Sequence, residues 1–213
     1  MRTEHVEDWL SRLASAGPAP GGGAAAAMHA AMAAALVEKV CNFTIGRPSY
    51  AEHESLVRRV CQEASELRRQ AVELADADAR AFTSVTEAYK LPANGEHERM
   101  ARSAAIQGAL VMAAAVPVRT AEVASRVLEL VERIIGRSNT AVLSDLAVSA
   151  SSSGAALASA SVHVEVNRAS INSPEVAERL GDAVAKIEEA IENAHRISAE
   201  VRERISRAAP VAR

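Results

Sequence analysis

The sequence predicts an all-α protein, an elongated antiparallel bundle of about six helices, several of them long. Three observations carry this. Alanine supplies much of a composition that is 49% hydrophobic. Glycine is confined to 10 positions and aromatic residues to 2% of the chain. Apolar residues recur at helical spacing, with few β-branched runs. Small residues facing one another let helix backbones approach closely. The 213 residues contain no Pro/Gly/Ser-rich linker and no internal repeat, which predicts one domain over 1–213.

The elements follow in order. Thr3 to Ala14 reads as a short amphipathic helix with Val6, Trp9, Leu10 and Leu13 on one side. Gly17-Pro-Ala-Pro-Gly-Gly-Gly23 breaks the chain and opens into a helix from Ala24 to Ile45. Gly46-Arg-Pro-Ser stops that helix, and Ser49 is the expected N-cap of the next, Tyr50 to Lys90. Pro92-Ala-Asn-Gly95 ends it. A fourth helix runs from Glu96 to Ile135, with a kink or break expected at Pro117. Gly136-Arg-Ser-Asn turns the chain into a Ser/Ala/Gly-rich helix, Thr140 to Ser170. Ser173 as N-cap and Pro174 at the first position start the last helix, which ends near Arg207.

Charge and motif content exclude several function classes. A net charge of -3 offers no electrostatic footprint for nucleic acid or an anionic membrane surface, and neither is an expected partner. The N-terminus lacks the layout of a secretion signal. Gly21 to Val40 has few charges, but its alanines and His29, Glu38 and Lys39 make it a buried helix rather than a membrane span. Cys41 and Cys61 are expected to be buried free thiols in a reducing cytoplasm. There is no CxxC, HExxH, GxSxG or P-loop, and the six histidines are scattered, so no metal is expected.

Asp78 is the residue with the sharpest chemical signature. Its helical neighbours are Leu74, Ala75, Ala81 and Phe82, all apolar, whereas Asp76 has Val72, Glu73, Ala79 and Arg80. Asp78 is therefore expected on an apolar face and Asp76 on a solvated one. A carboxylate in low dielectric needs a partner or a shifted pKa, and suits general acid–base work. It equally suits a structural bond between helices. Gly21, Gly22 and Gly23 offer backbone N–H groups at a helix start to a polar ligand. Phe43, Tyr50, Phe82 and Tyr89 fall in two short segments, which suits a planar heterocycle or plain core packing. Asp145 lies on a mainly apolar face, and His163 and Asn167 stand four apart on one helix. His29, among alanines, reads as a core histidine with a bonded ring.

Six segments then occur in order: Ala19-Pro-Gly-Gly-Gly23, Thr44-Ile-Gly-Arg47, Asp76-Ala-Asp-Ala-Arg-Ala-Phe82, Lys90-Leu-Pro92, Ala115-Val-Pro-Val118 and Leu143-Ser-Asp-Leu146. Together they resemble the formiminotetrahydrofolate cyclodeaminase/methenyltetrahydrofolate cyclohydrolase family, over about Val6 to Arg207. The resemblance implies a helical subunit that pairs into a homodimer, a cytoplasmic setting, and a folate site in a crevice among helices. It implies that Asp78 is the catalytic acid–base group. With the readings above, the candidate substrate-binding set is Gly21, Gly22, Gly23, Arg47, Tyr50, Phe82, Lys90, Asp145, His163 and Asn167. Two positions depart from the family pattern. Ala24 stands where a serine is frequent, and His163-Val-Glu-Val-Asn167 replaces an Asn-Val-x-Ile-Asn-like run.

The expected reaction is cyclodeamination of 5-formiminotetrahydrofolate to 5,10-methenyltetrahydrofolate and ammonia. Attack by N10 on the formimino carbon closes the ring, and one carboxyl group can take the N10 proton and return one to the leaving amine. The alternative is methenyltetrahydrofolate cyclohydrolase, in which water adds to the methenyl carbon. A second alternative is a helical scaffold that binds a folate or another heterocycle without turnover. No cofactor beyond the tetrahydrofolate derivative is required.

Overall fold

The computed structural model describes residues 4–207. Among them there is no strand. Six helices are present: α1 (Val6–Leu13), α2 (Gly22–Thr44), α3 (Glu54–Tyr89), α4 (Glu96–Ile134), α5 (Leu143–Ser170) and α6 (Pro174–Arg207). Short 3₁₀ turns at Pro48–His53 and Thr140–Val142 precede α3 and α5. Helices α2 to α5 pack against one another as the central bundle, and α6 lies along α5 and α4.

The local chemistry explains most boundaries. Gly46 and Gly136 follow the ends of α2 and α4 with φ of 77° and 74°, a left-handed conformation that costs glycine little. Ser173 Oγ accepts from the Val176 N–H at 3.4 Å, capping α6 as expected. The Asn139 side chain accepts from the Ala141 N–H at 3.0 Å and caps the turn into α5. Ser49 is not the N-cap of α3. Pro48 pre-sets a helical φ, so a 3₁₀ turn begins there and α geometry starts only at Glu54. Pro117 does not break α4, which runs on to Ile134. The start expected at Thr3 lies outside the described residues. In α1 only Trp9 is buried, and Val6 and Leu10 face outward.

One contiguous core holds the bundle. Leu128, Leu130, Ile134, Leu146, Leu157 and Ile197 are fully buried, each contributing roughly 1.5–3 kcal/mol of burial. The alanines of α2 fulfil their expected role: Ala24, Ala27, Ala30 and Ala34 are wholly buried. Ser149 Oγ donates to the Ala33 carbonyl at 2.9 Å, which ties α5 to α2. Ion pairs between Arg68 and Glu38 and from Arg126 and Arg133 to Glu63 join α3 to its neighbours. Partly exposed as they are, each is worth about 0–1 kcal/mol. Both cysteines are free, Cys41 buried and Cys61 half-buried. Burial, with Cys61 and Glu38 adjacent, pushes the Cys41 thiol up to about 12.

Three helical segments, Gly22–Thr44, Glu96–Ile134 and Thr140–Ser170, are long and apolar enough to cross a membrane by length and composition. In this fold α2 and α5 pack into the bundle. The most apolar stretch of α4 is only 28% buried.

Candidate functional site

A cleft of about 430 Å³ opens where the start of α2 meets α3, α4 and α5. Each helix contributes residues at helical spacing. From α3 come Asp78, Phe82, Val85 and Tyr89, from α4 Leu110, Ala113 and Pro117, and from α5 His163, Val166, Asn167 and Ser170. Gly21, Gly22 and Gly23 form one end.

The glycines permit two close approaches. A Cβ on Gly23 would lie 2.1 Å from Asp78 Oδ1, and one on Gly22 would lie 2.7 Å from His163 Nε2. Any larger residue at Gly23 displaces the carboxylate. Gly21 has open space at the corresponding position. The N-terminus of α2 therefore sits between an acid from α3 and an imidazole from α5. No α2 side chain caps that terminus. The Ala24 backbone N–H is directed at Asp78 instead, so the carboxylate faces the positive end of the helix.

Burial raises the Asp78 carboxyl above its ordinary 3.8, and the neighbouring His163 and the Ala24 N–H offset only part of that effect. Desolvation thus dominates over charge and hydrogen bonding. Asp78 is half-buried rather than sunk in the core. Asp76 is half-buried too, and engaged; it is not the solvated carboxylate the helical spacing suggested. It does not line the cleft.

Other features come from the helix backbones. Asn167 Nδ2 donates to the His163 carbonyl at 2.8 Å, which leaves Oδ1 as an acceptor. Pro117 has no N–H to give the carbonyl of Ala113, and both residues line the cleft. Phe82 and Tyr89 are about half exposed along one wall.

The remaining candidates lie elsewhere. Asp145 pairs with Lys39 at 2.8 Å, near the opposite end of α5 from His163. Eighteen residues separate the two, roughly 27 Å along the helix. Arg47 Nε donates to the Phe43 carbonyl at 2.8 Å, and the Tyr50 hydroxyl accepts from the Thr140 N–H at 3.1 Å. Arg47 and Tyr50 thus brace the end of α2 against the turn before α5. Lys90 is exposed at the end of α3, paired with Glu87 at 2.7 Å. Within one subunit the structure does not bring these four to Asp78. His29 is half-buried with no ring hydrogen bond among the described residues, because it sits on the outward face of α2 with exposed Met32. Leu110, Ala113 and Val166 were not among the sequence candidates. Only Pro117 in mid-helix signals that α4 does something unusual here.

Residues 5–186 match the family model described as formiminotransferase-cyclodeaminase. The chain belongs to that family. A methenyltetrahydrofolate cyclohydrolase of Methylorubrum extorquens is 43% identical over 77% of this chain and 79% of its own length. The formimidoyltransferase-cyclodeaminase of Mus musculus is 37% identical over 68% of this chain, but the chain spans only 27% of that protein. In three dimensions this family member is similar to the crystal structure of a formiminotetrahydrofolate cyclodeaminase from Thermotoga maritima. That match has a TM-score of 0.85 and 27% identity, and covers 96% of this chain and 98% of the other.

Proposed function

We propose that this chain acts on the one-carbon bridge between N5 and N10 of a tetrahydrofolate, and that its reaction is hydrolysis of 5,10-methenyltetrahydrofolate to 10-formyltetrahydrofolate. The observation that carries the reading is Asp78, a carboxyl raised by burial and set beside His163 in a cleft with aromatic walls. The 43% identity with a cyclohydrolase over most of both chains supports the hydrolytic direction. This places first what the sequence offered as the alternative.

The steps balance with Asp78 as the proton carrier. The substrate is a cation, which a carboxylate favours electrostatically. Water adds to the methenyl carbon as Asp78 accepts one of its protons, giving a neutral tetrahedral carbinolamine. The C–N5 bond then breaks, N5 receives the proton held by Asp78, and the hydroxyl proton leaves as the formyl C=O forms. One proton is released overall. His163 faces the same cleft and is suited to hold the attacking water. Phe82, about half exposed, and half-buried Val85 form an apolar wall for the flat part of the substrate.

Cyclodeamination is the second reading, favoured by the close structural match to a protein so named. The same carboxyl would take the N10 proton and protonate the departing amine. Purified protein decides between them. Loss of methenyl absorbance from 5,10-methenyltetrahydrofolate, faster than the spontaneous rate, supports the hydrolase. Methenyl formation with ammonia release from 5-formiminotetrahydrofolate supports the deaminase. Binding of folate with neither reaction would leave the non-catalytic scaffold.

The assembly expected is a cytoplasmic homodimer. Met32 and Phe43 on α2 and Val148, Val162 and Val166 on α5 are exposed, and on each helix they recur at whole-turn spacing on one outward strip. A second copy of the chain would cover such a strip. Light scattering that finds a monomer at micromolar concentration would rule this out.

A further inference from the structure

We propose that a second cavity, beyond Tyr89, binds the glutamate carboxylates of the folate whose one-carbon bridge sits at Asp78. This rests on the folate reading above and assigns the far end of the same ligand. The cavity measures about 350 Å³ and is lined by Tyr89, Arg99, Arg102, Ile106 and Gln107 among others. Tyr89 lines the Asp78 cleft as well, so the two cavities share that residue.

Charge and bonding single out the arginines. Arg102 Nη2 donates to the Tyr89 carbonyl at 2.8 Å, which fixes the guanidinium at the end of α3. Its Nε is buried without a partner. Among the described residues no carboxylate lies within ion-pair distance of Arg102 or Arg99. Of the acids near them in sequence, Glu98 accepts from the Asn94 N–H at 2.8 Å and Glu87 holds Lys90, while exposed Glu96, three residues before Arg99, makes no ion pair with it. Two guanidinium groups without counter-ions, beside a cavity, fit a carboxylate through the planar arginine fork.

The dimensions agree. Asp78 and Tyr89 are eleven residues apart on one helix, about 16 Å along its axis. The extended p-aminobenzoyl-glutamate half of a folate has a comparable length. Phe82 and Val85, at helical spacing between them, would flank the benzoyl ring, and the carboxylates would then emerge at Arg102 and Arg99.

The test compares 5,10-methenyltetrahydrofolate with 5,10-methenyltetrahydropteroate, which lacks the glutamate. The unaltered protein should show a KM about tenfold lower for the glutamate-bearing substrate. In Arg102→Gln that ratio should fall to near one, and Arg102→Lys should restore part of it. Arg99→Gln carries the test should loss of the Tyr89 bond unfold Arg102→Gln, because the Arg99 side chain is exposed and has no partner among the described residues; its ratio should fall several-fold. Equal KM values for the two substrates in the unaltered protein, or a ratio unmoved in both glutamine variants, would overturn the subsite and leave the folate reading intact. If the unaltered protein turns over neither compound, the same ratio is read with 5-formiminotetrahydrofolate and its pteroate analogue, and no turnover of any of the four would overturn both readings.

Discussion

Gly23 and Asp78 stand so close that a single added methyl group on the glycine would overlap the carboxylate, 2.1 Å from its Oδ1. The glycine run therefore places backbone against an acid, and the three glycines should respond unequally to alanine. Gly23→Ala should lower kcat/KM by about a hundredfold, since the carboxylate must shift by about an ångström. Gly22→Ala should cost less, about tenfold, because the 2.7 Å contact is with the tip of the His163 ring, which can swing away. Gly21→Ala meets no protein atom within 4 Å and should cost least of the three. Equal effects at all three positions would mean that the run is simply a turn.

Asp78→Asn keeps shape and removes proton transfer. Turnover should fall by about 10²- to 10⁴-fold, while Asp76→Asn, outside the cleft, should cost far less. Steady-state kinetics on the folded variants measures both. Comparable losses in the two would shift the catalytic role away from Asp78.

The same substitution makes a separate statement about stability. The folded-state pKa of Asp78 lies above 3.8, chiefly through burial. The folded protein thus holds this proton more tightly than the unfolded chain. The corresponding stabilisation is complete below about 3.8 and is lost as pH rises through the raised value. At pH 7 the ionised carboxylate is a net cost. Asp78→Asn should therefore melt higher than the parent at pH 7, and that advantage should shrink as pH falls toward 3.8. A variant less stable than its parent at pH 7 would show that Asp78 is a structural bond.

The pH dependence of turnover follows from the same group. In the proposed hydrolysis Asp78 receives a proton of water and must be ionised, so that reading expects kcat/KM to rise with pH through an apparent pKa above 3.8. In Asp78→Asn this acidic limb should vanish from the residual rate. A limb that persists in the variant would belong to another group.

Much of this arrangement was readable from the chain, for identifiable reasons. Helix signals are local, so the 3.6-residue period and the Ser173-Pro174 start located the elements. The apolar neighbours of Asp78 are set by one helix and pointed to a desolvated carboxylate. Asp76 is only half exposed and is engaged, because spacing along one helix does not register what approaches that helix from elsewhere in the chain. Arg47 and Asp145 lie in two of the six segments, and Tyr50 follows one of them, yet all three gather near the start of α5, away from the cleft. Adjacency among motifs does not reveal which end of a 36-residue helix each one faces. Leu110 and Ala113 could not be found in advance, since the way α4 packs across α3 and α5 depends on packing over the whole bundle.

Pro117 supplies the last prediction. A proline inside an unbroken helix costs up to ~3 kcal/mol, because it has no N–H and crowds the carbonyl four residues earlier. That carbonyl belongs to Ala113, and both residues line the cleft. A pterin ring carries several N–H donors, and a backbone acceptor released from its helix partner is suited to receive one. Pro117→Ala restores the N–H, so the Ala113 carbonyl returns to the helix ladder. The variant should melt at a higher temperature, the gain reduced by the small void left at a buried position. Its KM for the folate should nevertheless rise several-fold, as the substrate loses its acceptor. Stability and affinity would then move in opposite directions, which a simple packing role does not produce. A higher melting temperature with an unchanged KM would mean that the substrate never uses the freed carbonyl.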